Sequence, residues 1–304
     1  MLEKFEKKLF PMTSIVVGQY TIDGQTKRFN ASGFFYTQQT PTEPDKKGPQ
    51  WMRIDDYWFI TNRHVVLPKK EDNAKPQSEW EECRLDWIEF GLRQTLLDGR
   101  IEWYPVRLQG IDLYNQLRLH PNGIVDVVAI DITKNIQQII EDIGQKKIDN
   151  NIGIPAVLSN IDLPGEKPIP IEVTSDIVVA SYPKGFYDVK NKFPIVKSGI
   201  IASAWGADFN GSPMFQIDAQ LFPGSSGGLV ISKPSIFGMN DEGQILRNTS
   251  GKDFVLLGIY SGEFMFEDKL IVDGKSIGIQ KSYGLGNVWY YYLIPEIIQQ
   301  GVKL

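Results

Sequence analysis

The sequence predicts an all-β fold of two antiparallel six-stranded β-barrels joined by a helical connector. Two observations lead to this prediction. Short apolar runs with near-alternating side chains recur between turn signals, and one run near the midpoint has helical spacing instead. The predicted domains are residues 1–133 for the first barrel, 134–153 for the connector and 154–304 for the second barrel.

Each half of the chain contains six candidate strands. In the first half they span 14–22, 31–36, 57–61, 87–93, 103–109 and 126–132. In the second half they span 171–181, 195–203, 214–219, 228–232, 254–261 and 288–294. A single long β-sandwich is the alternative. A helical segment near the midpoint is easier to explain as a link between two closed units.

The connector is predicted from the run 135–147, whose isoleucines recur at helical spacing. These are Ile136, Ile139, Ile140 and Ile143. Two other segments, 38–56 and 68–82, are long, polar and proline-bearing. We expect them to be loops inserted beside the strands of the first barrel.

Composition and charge narrow the classes of partner and compartment. The chain has 304 residues, 42% of them hydrophobic, and a formal net charge of -5. This acidic balance disfavours nucleic acid and anionic membranes as partners, and favours proteins or peptides. Cys83 is the single cysteine and cannot form an intramolecular disulfide. Residues 1–18 carry charges and a proline where a signal peptide needs an apolar core, so we expect a cytoplasmic protein.

The segment 221–231, LFPGSSGGLVI, places two serines between glycines just before an apolar strand. Flanking glycines allow a tight turn that exposes the Ser226 hydroxyl. The same turn would aim the N–H groups of Gly224 and Ser226 at one point, as an oxyanion hole does. The alternative is a flexible glycine-serine hairpin turn.

A serine nucleophile needs a base with a pKa near neutrality, and the chain has only two histidines. His64 ends an apolar strand where a barrel faces a cleft, whereas His120 precedes a proline turn and fits a surface loop. Asp126 stands at the mouth of a buried strand, where it can orient an imidazole. Asp131, at the other end of that strand, is interpreted as a solvated terminus.

The order of these residues along the chain separates the hydrolase folds. Residues 224–228 match the G-x-S-x-G pattern, but α/β-hydrolases place a histidine after the serine and none follows here. A subtilisin-like order would recruit Asp55 or Asp56 and needs alternating strands and helices. The order His, Asp, Ser fits the predicted barrels. The histidines and the cysteine do not have metal-ligand spacing, so no metal or cofactor is expected.

Three motifs, ITNRHVV, DVVAI and IDAQLFPGSSGG, resemble the catalytic blocks of trypsin-like and chymotrypsin-like serine proteases. The likeness is closest to bacterial peptidases of the high-temperature-requirement type, and we do not expect the PDZ domain that often follows in them. The resemblance implies a chymotrypsin-like double barrel with its site between the barrels. His64 and Asp126 would come from the first barrel and Ser226 from the second, and the enzyme would be a serine endopeptidase.

The resemblance also implies a substrate-binding side. LLGIYSG resembles the strand that pairs with an extended substrate, a run that includes Ser261 and Gly262. The Ser261 side chain would support Asp126. Gln220 would lie at the base of the primary specificity pocket and Glu263 at its rim, which favours a polar or basic side chain before the cleaved bond. SYPKGF, residues 181–186, also resembles bacterial members, but the likeness gives it no catalytic role.

One departure from the family concerns activation. Animal digestive relatives carry, just before the nucleophile, an aspartate that captures a newly cut N-terminus, and this chain has Ser225 there. Ile15 and Val16 are therefore expected in the first strand rather than at a newly cut N-terminus. We expect activity to be controlled by a narrow substrate specificity or by an activating protein that contacts 38–56 or 68–82. Two alternatives remain open: a catalytically inactive peptide-binding double barrel, and an esterase with the same triad.

Overall fold

The computed structural model describes residues 4–41, 52–70, 81–95, 101–144, 157–240, 242–249, 251–272 and 275–304. Strands dominate these ranges, and the predicted all-β class is confirmed. The N-terminal strands are β1 Thr13–Ile22, β2 Gln25–Thr37, β3 Gln39–Pro41, β4 Met52–Ile54, β5 Trp58–Thr61, β6 Leu85–Thr95, β7 Ile101–Gln109, β8 Leu117–Leu119, β9 Val128–Asp131 and β10 Leu158–Ser159. The C-terminal strands are β11 Asp176–Ser181, β12 Ile195–Ile201, β13 Met214–Asp218, β14 Leu229–Ser232, β15 Phe237–Met239, β16 Ile245–Arg247, β17 Leu256–Val272 and β18 Lys275–Tyr290.

Eight of the N-terminal strands form one sheet in the order β7-β6-β1-β2-β5-β9-β8, with β10 paired in parallel to β2, while β3 and β4 pair as a separate two-stranded sheet. All six predicted strands of this half belong to it. The sheet has eight strands rather than six because β8 and β10, which were not predicted, also pair in it. β8 has three residues and β10 has two. Runs that short carry no detectable alternation. Ile15 and Val16 lie in β1, paired with β2.

Six of the C-terminal strands form a closed barrel in the order β11-β12-β13-β18-β17-β14, while β15 and β16 pair as a separate two-stranded sheet. Its six strands are the six predicted for this half, with shifted ends. The strand predicted at 171–181 begins at Asp176, and the strand predicted at 288–294 ends at Tyr290. Leu293 and Ile294 instead begin a helix that buries one face, since a short apolar run is compatible with either a strand or a buried helix.

Five α-helices lie in the described ranges. They are α1 Lys4–Met12, α2 Arg63–Val66, α3 Gly110–Gln116, α4 Thr133–Gly144 and α5 Leu293–Gln300. The predicted helix at 135–147 corresponds to α4, and residues 145–153 of the predicted connector lie outside the described residues. Within these ranges, no helix combines the length and apolarity needed to cross a membrane.

A shared apolar core joins the two halves. It contains buried side chains from both sheets and from α1 and α5, among them Phe34, Ile60, Leu229, Leu256 and Leu293. Burial of such side chains contributes about 1.5–3 kcal/mol each. The core therefore fixes the inner ends of β2 and β5 against β14 and β17, and the candidate site lies where these strands end.

Candidate active site

The segment after β5 is attached to the backbone of Asp126. The Asn62 side-chain amide donates to the Asp126 carbonyl oxygen at 2.8 Å, and the Arg63 backbone N–H donates to the same oxygen at 3.3 Å. Asp126 itself lies two residues before β9, which pairs with β5. These contacts bring the one-turn helix α2, which carries His64, beside the Asp126 carboxylate.

The Asp126 carboxylate accepts three hydrogen bonds. His64 donates through its backbone N–H to Oδ1 at 2.9 Å, and its Nδ1 lies 2.7 Å from Oδ2. The Ser261 hydroxyl donates to Oδ2 at 2.6 Å. Because an ionised carboxylate only accepts, the hydrogen of a neutral His64 lies on Nδ1. Nε2 is then left with a lone pair that can accept a proton.

The charges of His64 and Asp126 favour each other. Burial alone would raise the pKa of Asp126, but the His64 charge and the hydrogen bonds from His64 and Ser261 hold it below its usual value. Burial alone would lower the pKa of His64, but the Asp126 charge and hydrogen bond raise it above that of an ordinary histidine. Near neutral pH, Asp126 is therefore an anion, and its charge stabilises the protonated form of His64 relative to the neutral form.

Ser226 lies in a tight turn between β13 and β14. Its backbone carbonyl accepts from the Ser32 N–H at 2.8 Å, and the Gly227 N–H donates to the Tyr260 carbonyl at 2.8 Å. Gly227 has φ +80°, and a Cβ there would overlap Ser32 O. The turn thus requires glycine next to the serine. The Ser226 hydroxyl donates to the Ser261 carbonyl at 2.9 Å.

Two contacts orient the peptide groups around Gly224. The Pro223 carbonyl accepts from the Lys184 backbone N–H at 2.6 Å, and the Gly224 carbonyl accepts from the Ser32 hydroxyl at 2.9 Å. In a trans peptide the N–H points opposite to the preceding C=O, so the Gly224 N–H points away from Lys184. Across the described chain, the N–H groups of Gly224 and Ser226 have no acceptor. Two free donors flanking the turn fit an oxyanion hole.

Ser225 is fully buried behind this turn. Its hydroxyl accepts from the Ser181 hydroxyl at 3.1 Å, and its backbone N–H donates to the Phe222 carbonyl at 3.0 Å. Both partners are neutral, so the position holds no buried charge that needs a terminal ammonium as partner. The turn is held by internal hydrogen bonds.

Comparison with known protein families agrees with this geometry. The model of the trypsin-like peptidase domain matches residues 31–235, more than half of the chain, and this span includes His64, Asp126 and Ser226. The chain belongs to the trypsin-like peptidase family.

Other comparisons of this trypsin-like peptidase give weaker likenesses. It aligns with the crystal structure of the thermostable serine protease AL20 from an extremophilic microorganism at 13% sequence identity and a TM-score of 0.41. That alignment covers 94% of this chain and 95% of the other. No curated protein matches the sequence.

Sequence reasoning about this trypsin-like peptidase missed three residues of the turn. Ser32 donates across 192 positions of sequence to Gly224, and no local pattern signals such a contact. Ser181 and Lys184 lie in the run SYPKGF, and its likeness to bacterial members was a usable signal. In the structure this run supports the turn through the Ser181 hydroxyl and the Lys184 N–H.

The predicted substrate-binding residues lie on two segments of the peptidase. Gln220 is exposed two residues beyond the end of β13. Ser261, Gly262 and Glu263 are half-buried and consecutive on β17. Burial and then the Glu263 charge raise the pKa of Tyr260. Of these four residues, Ser261 makes direct contacts with the candidate triad.

The remaining acid and base candidates lie elsewhere in the peptidase. His120 is predicted to be a surface-loop residue but packs against α5, where its Nε2 lies 3.3 Å from a Glu296 carboxylate oxygen. Only 16% of its side chain is exposed. Asp131 accepts from the Thr133 N–H at 3.0 Å, at the beginning of α4. Neither residue contacts His64 or Ser226.

Proposed function

We propose that this chain is a serine endopeptidase that cleaves protein or peptide bonds through an acyl-enzyme, with His64, Asp126 and Ser226 as its triad. The observation that carries the proposal is a continuous set of contacts. Asp126 accepts hydrogen bonds from both His64 and Ser261, and the carbonyl of Ser261 accepts from the Ser226 hydroxyl. Base, orienting acid and nucleophile thereby belong to one connected site.

Acylation begins when Ser226 Oγ attacks the substrate carbonyl carbon. His64 Nε2 takes the hydroxyl proton, and Asp126 stabilises the resulting imidazolium. The carbonyl oxygen becomes an oxyanion that accepts from the N–H groups of Gly224 and Ser226. When the tetrahedral intermediate collapses, the proton on His64 passes to the leaving amine and the acyl group remains on Ser226. Water then attacks the acyl-enzyme with His64 again as the base.

Substrate binding and nucleophile release are coupled at Ser261. At rest the Ser226 hydroxyl occupies the Ser261 carbonyl. A peptide that adds to the edge of β17 would place an N–H at the same carbonyl and compete with it. Rotation about χ1 then brings Ser226 Oγ to His64. This competition favours a peptide over a simple ester as substrate, because an ester without an amide N–H does not displace the hydroxyl.

We also propose a cytoplasmic enzyme that a protein partner restrains or activates. A contact at the C-terminal end of the segment 68–82 supports a regulatory role for this segment. Arg63, next to His64, binds the Glu82 carboxylate through Nε at 2.9 Å and a second nitrogen at 3.2 Å. A partner that displaced Glu82 would act one residue from the base. Glu82→Gln should change the peptidase activity and leave the free energy of unfolding nearly unaltered. Unchanged activity would remove the basis for this proposal.

Peptide-library cleavage with mass-spectrometric identification of the products tests the endopeptidase. Wild type should cleave internal peptide bonds, and Ser226→Ala should not. Ser198→Ala, which removes an exposed hydroxyl on β12, is the matched control and should cleave like wild type. Cleavage that persists in Ser226→Ala, or ester hydrolysis without any peptide cleavage, would contradict the proposal.

A further inference from the structure

The hairpin of β17 and β18 extends far beyond the barrel. β14 pairs with β17 only as far as Ile259, and β13 pairs with β18 only from Leu285 onward. Beyond those points the two strands continue to pair with each other out to Val272 and Lys275. We call the part at 263–284 the arm. Its described residues form a two-stranded ribbon with no third strand on either side.

The arm exposes aromatic side chains near its base. Phe264 and Phe266 are two residues apart and point to the same face, where both approach Tyr283 on the opposite strand. Their ring centroids lie 5.6 and 4.3 Å from that of Tyr283. Phe264 is 45% exposed and Tyr283 is 58% exposed. An isolated two-stranded hairpin is only marginally stable, and exposed strand edges invite pairing with another chain.

The arm lies on the same strand as the candidate active site, beyond register shifts in the pairing of β17 with β18 between Tyr260 and Gly262 and between Glu263 and Met265. Ser261, whose carbonyl accepts from Ser226, lies at the base of the arm on the same strand. Among the described residues, no strand lies past Tyr260 beside the edge of β17 that pairs with β14 inside the barrel. A chain that added there would extend the barrel sheet outward from Ser226.

Strand polarity decides which part of a substrate this edge receives. β17 runs from the barrel outward, so a chain added antiparallel runs inward and ends beside Ser226. Residues that precede the cleaved bond would therefore lie along the arm. We propose that the arm binds an extended segment of the substrate, N-terminal to the cleaved bond, by β-strand addition. This inference rests on the proposed endopeptidase function and names its substrate class.

The side chains of the arm indicate the character of that segment. Asp268 and Lys281 form an ion pair across the two strands, which leaves the aromatic face without a net charge from this pair. Aromatic side chains pair well with β-branched and aromatic neighbours on an adjacent strand. We therefore expect the bound segment to alternate β-branched or aromatic residues with polar ones, in an extended conformation.

The test uses Ser226→Ala, so that binding is measured without cleavage. The probes are fluorescein-labelled peptide amides that end in lysine and carry either three or nine alternating valines and threonines before it. The longer peptide adds cross-strand pairs with the arm, so it should bind at least about tenfold more tightly in fluorescence anisotropy. A variant with residues 264–283 replaced by Asn-Gly should bind both peptides equally.

A second variant keeps the arm in place. Phe264→Ser combined with Tyr283→Ser should weaken the longer peptide alone. N-methylation of the longer peptide at successive positions should weaken binding at alternate residues only, because alternate N–H groups face the arm.

Each outcome decides between the alternatives. Equal binding of both peptides to the arm-bearing protein, or a length effect that survives removal of the arm, would overturn the inference. A dimer held together by the arm in sedimentation would assign the edge to a second copy and also overturn it. Arm-dependent binding in a protein that cleaves no peptide would support the arm while contradicting the endopeptidase.

Discussion

The hydroxyl of Ser226 donates a 2.9 Å hydrogen bond to the main-chain carbonyl of Ser261. This contact links the candidate nucleophile to the strand that would pair with a substrate. A carbonyl occupied by the nucleophile at rest is available to a substrate N–H only after the hydroxyl leaves. In this account, recognition of an extended peptide and activation of the serine are one event.

The Asp126 carboxylate is the group that orients His64. Asp126→Asn should lower kcat by roughly four orders of magnitude, because an amide NH₂ facing Nδ1 favours the wrong histidine tautomer. Steady-state kinetics on a cleaved peptide measures this loss. Asp131→Asn is the matched control, since Asp131 contacts the beginning of α4 and should leave kcat unchanged. A large loss in Asp131→Asn with little in Asp126→Asn would reverse the assignment.

The pH profile reports the base. His64 must be neutral to accept the serine proton, so kcat/KM falls as the pH falls through its pKa. Opposed by burial, the Asp126 charge still raises that pKa, so the acid limb should lie above the value of an ordinary histidine. In Asp126→Asn the limb should move to lower pH because the attraction is lost. A limb at the same pH in both proteins would show that another group titrates.

Ser32 is a positioning residue for the oxyanion turn, which it holds through the Gly224 carbonyl. Removal of an oxyanion-hole donor itself costs about 10²–10³ in kcat. Ser32→Ala removes the contact to Gly224 and also the acceptor of the Tyr182 backbone N–H, but it removes no oxyanion donor. We therefore expect a smaller fall in kcat, about tenfold, with KM nearly unchanged. The affinity for a peptide aldehyde should fall in parallel. An equal rise in KM with unchanged kcat would instead indicate a role in ground-state binding.

Gly227 and Gly243 offer a matched pair of glycine substitutions. Their φ angles are +80° and +79°, but a Cβ on Gly227 would overlap Ser32 O and Thr61 Oγ1, whereas one on Gly243 would meet open space. Gly243→Ala should cost only the left-handed backbone penalty, about 1–2 kcal/mol of unfolding free energy. Gly227→Ala should cost more and abolish activity. If urea denaturation showed the same loss of unfolding free energy in Gly227→Ala and Gly243→Ala, the turn at Gly227 would have to relax to admit a side chain.

The candidate triad could be predicted from the sequence because the alternatives were few. Two histidines, of which one ended an apolar strand, left a single residue order compatible with barrels. The supports of the oxyanion turn were not predictable in this way. Ser32 reaches Gly224 only after the two halves of the chain pack together, and that packing leaves no periodic trace in the sequence.

Strand positions were predicted better than strand ends. Alternating runs identified the barrel strands, but β17 and β18 continue into the arm through glycines and charged residues such as Glu263 and Gly284, which disfavour a strand locally. Pairing between the two strands overrides that preference. The apolar run at 288–294 was ambiguous for the opposite reason, since burial of Leu293 and Ile294 fits a helix equally well.

Fluorophosphonate labelling tests the triad most directly, with the labelled residue located by peptide mass spectrometry. We expect one label for each molecule of wild type, on Ser226, and labelling slowed by orders of magnitude in His64→Ala with the fold retained. Label on another residue, or equal labelling rates in wild type and His64→Ala, would contradict Ser226 as a nucleophile activated by His64.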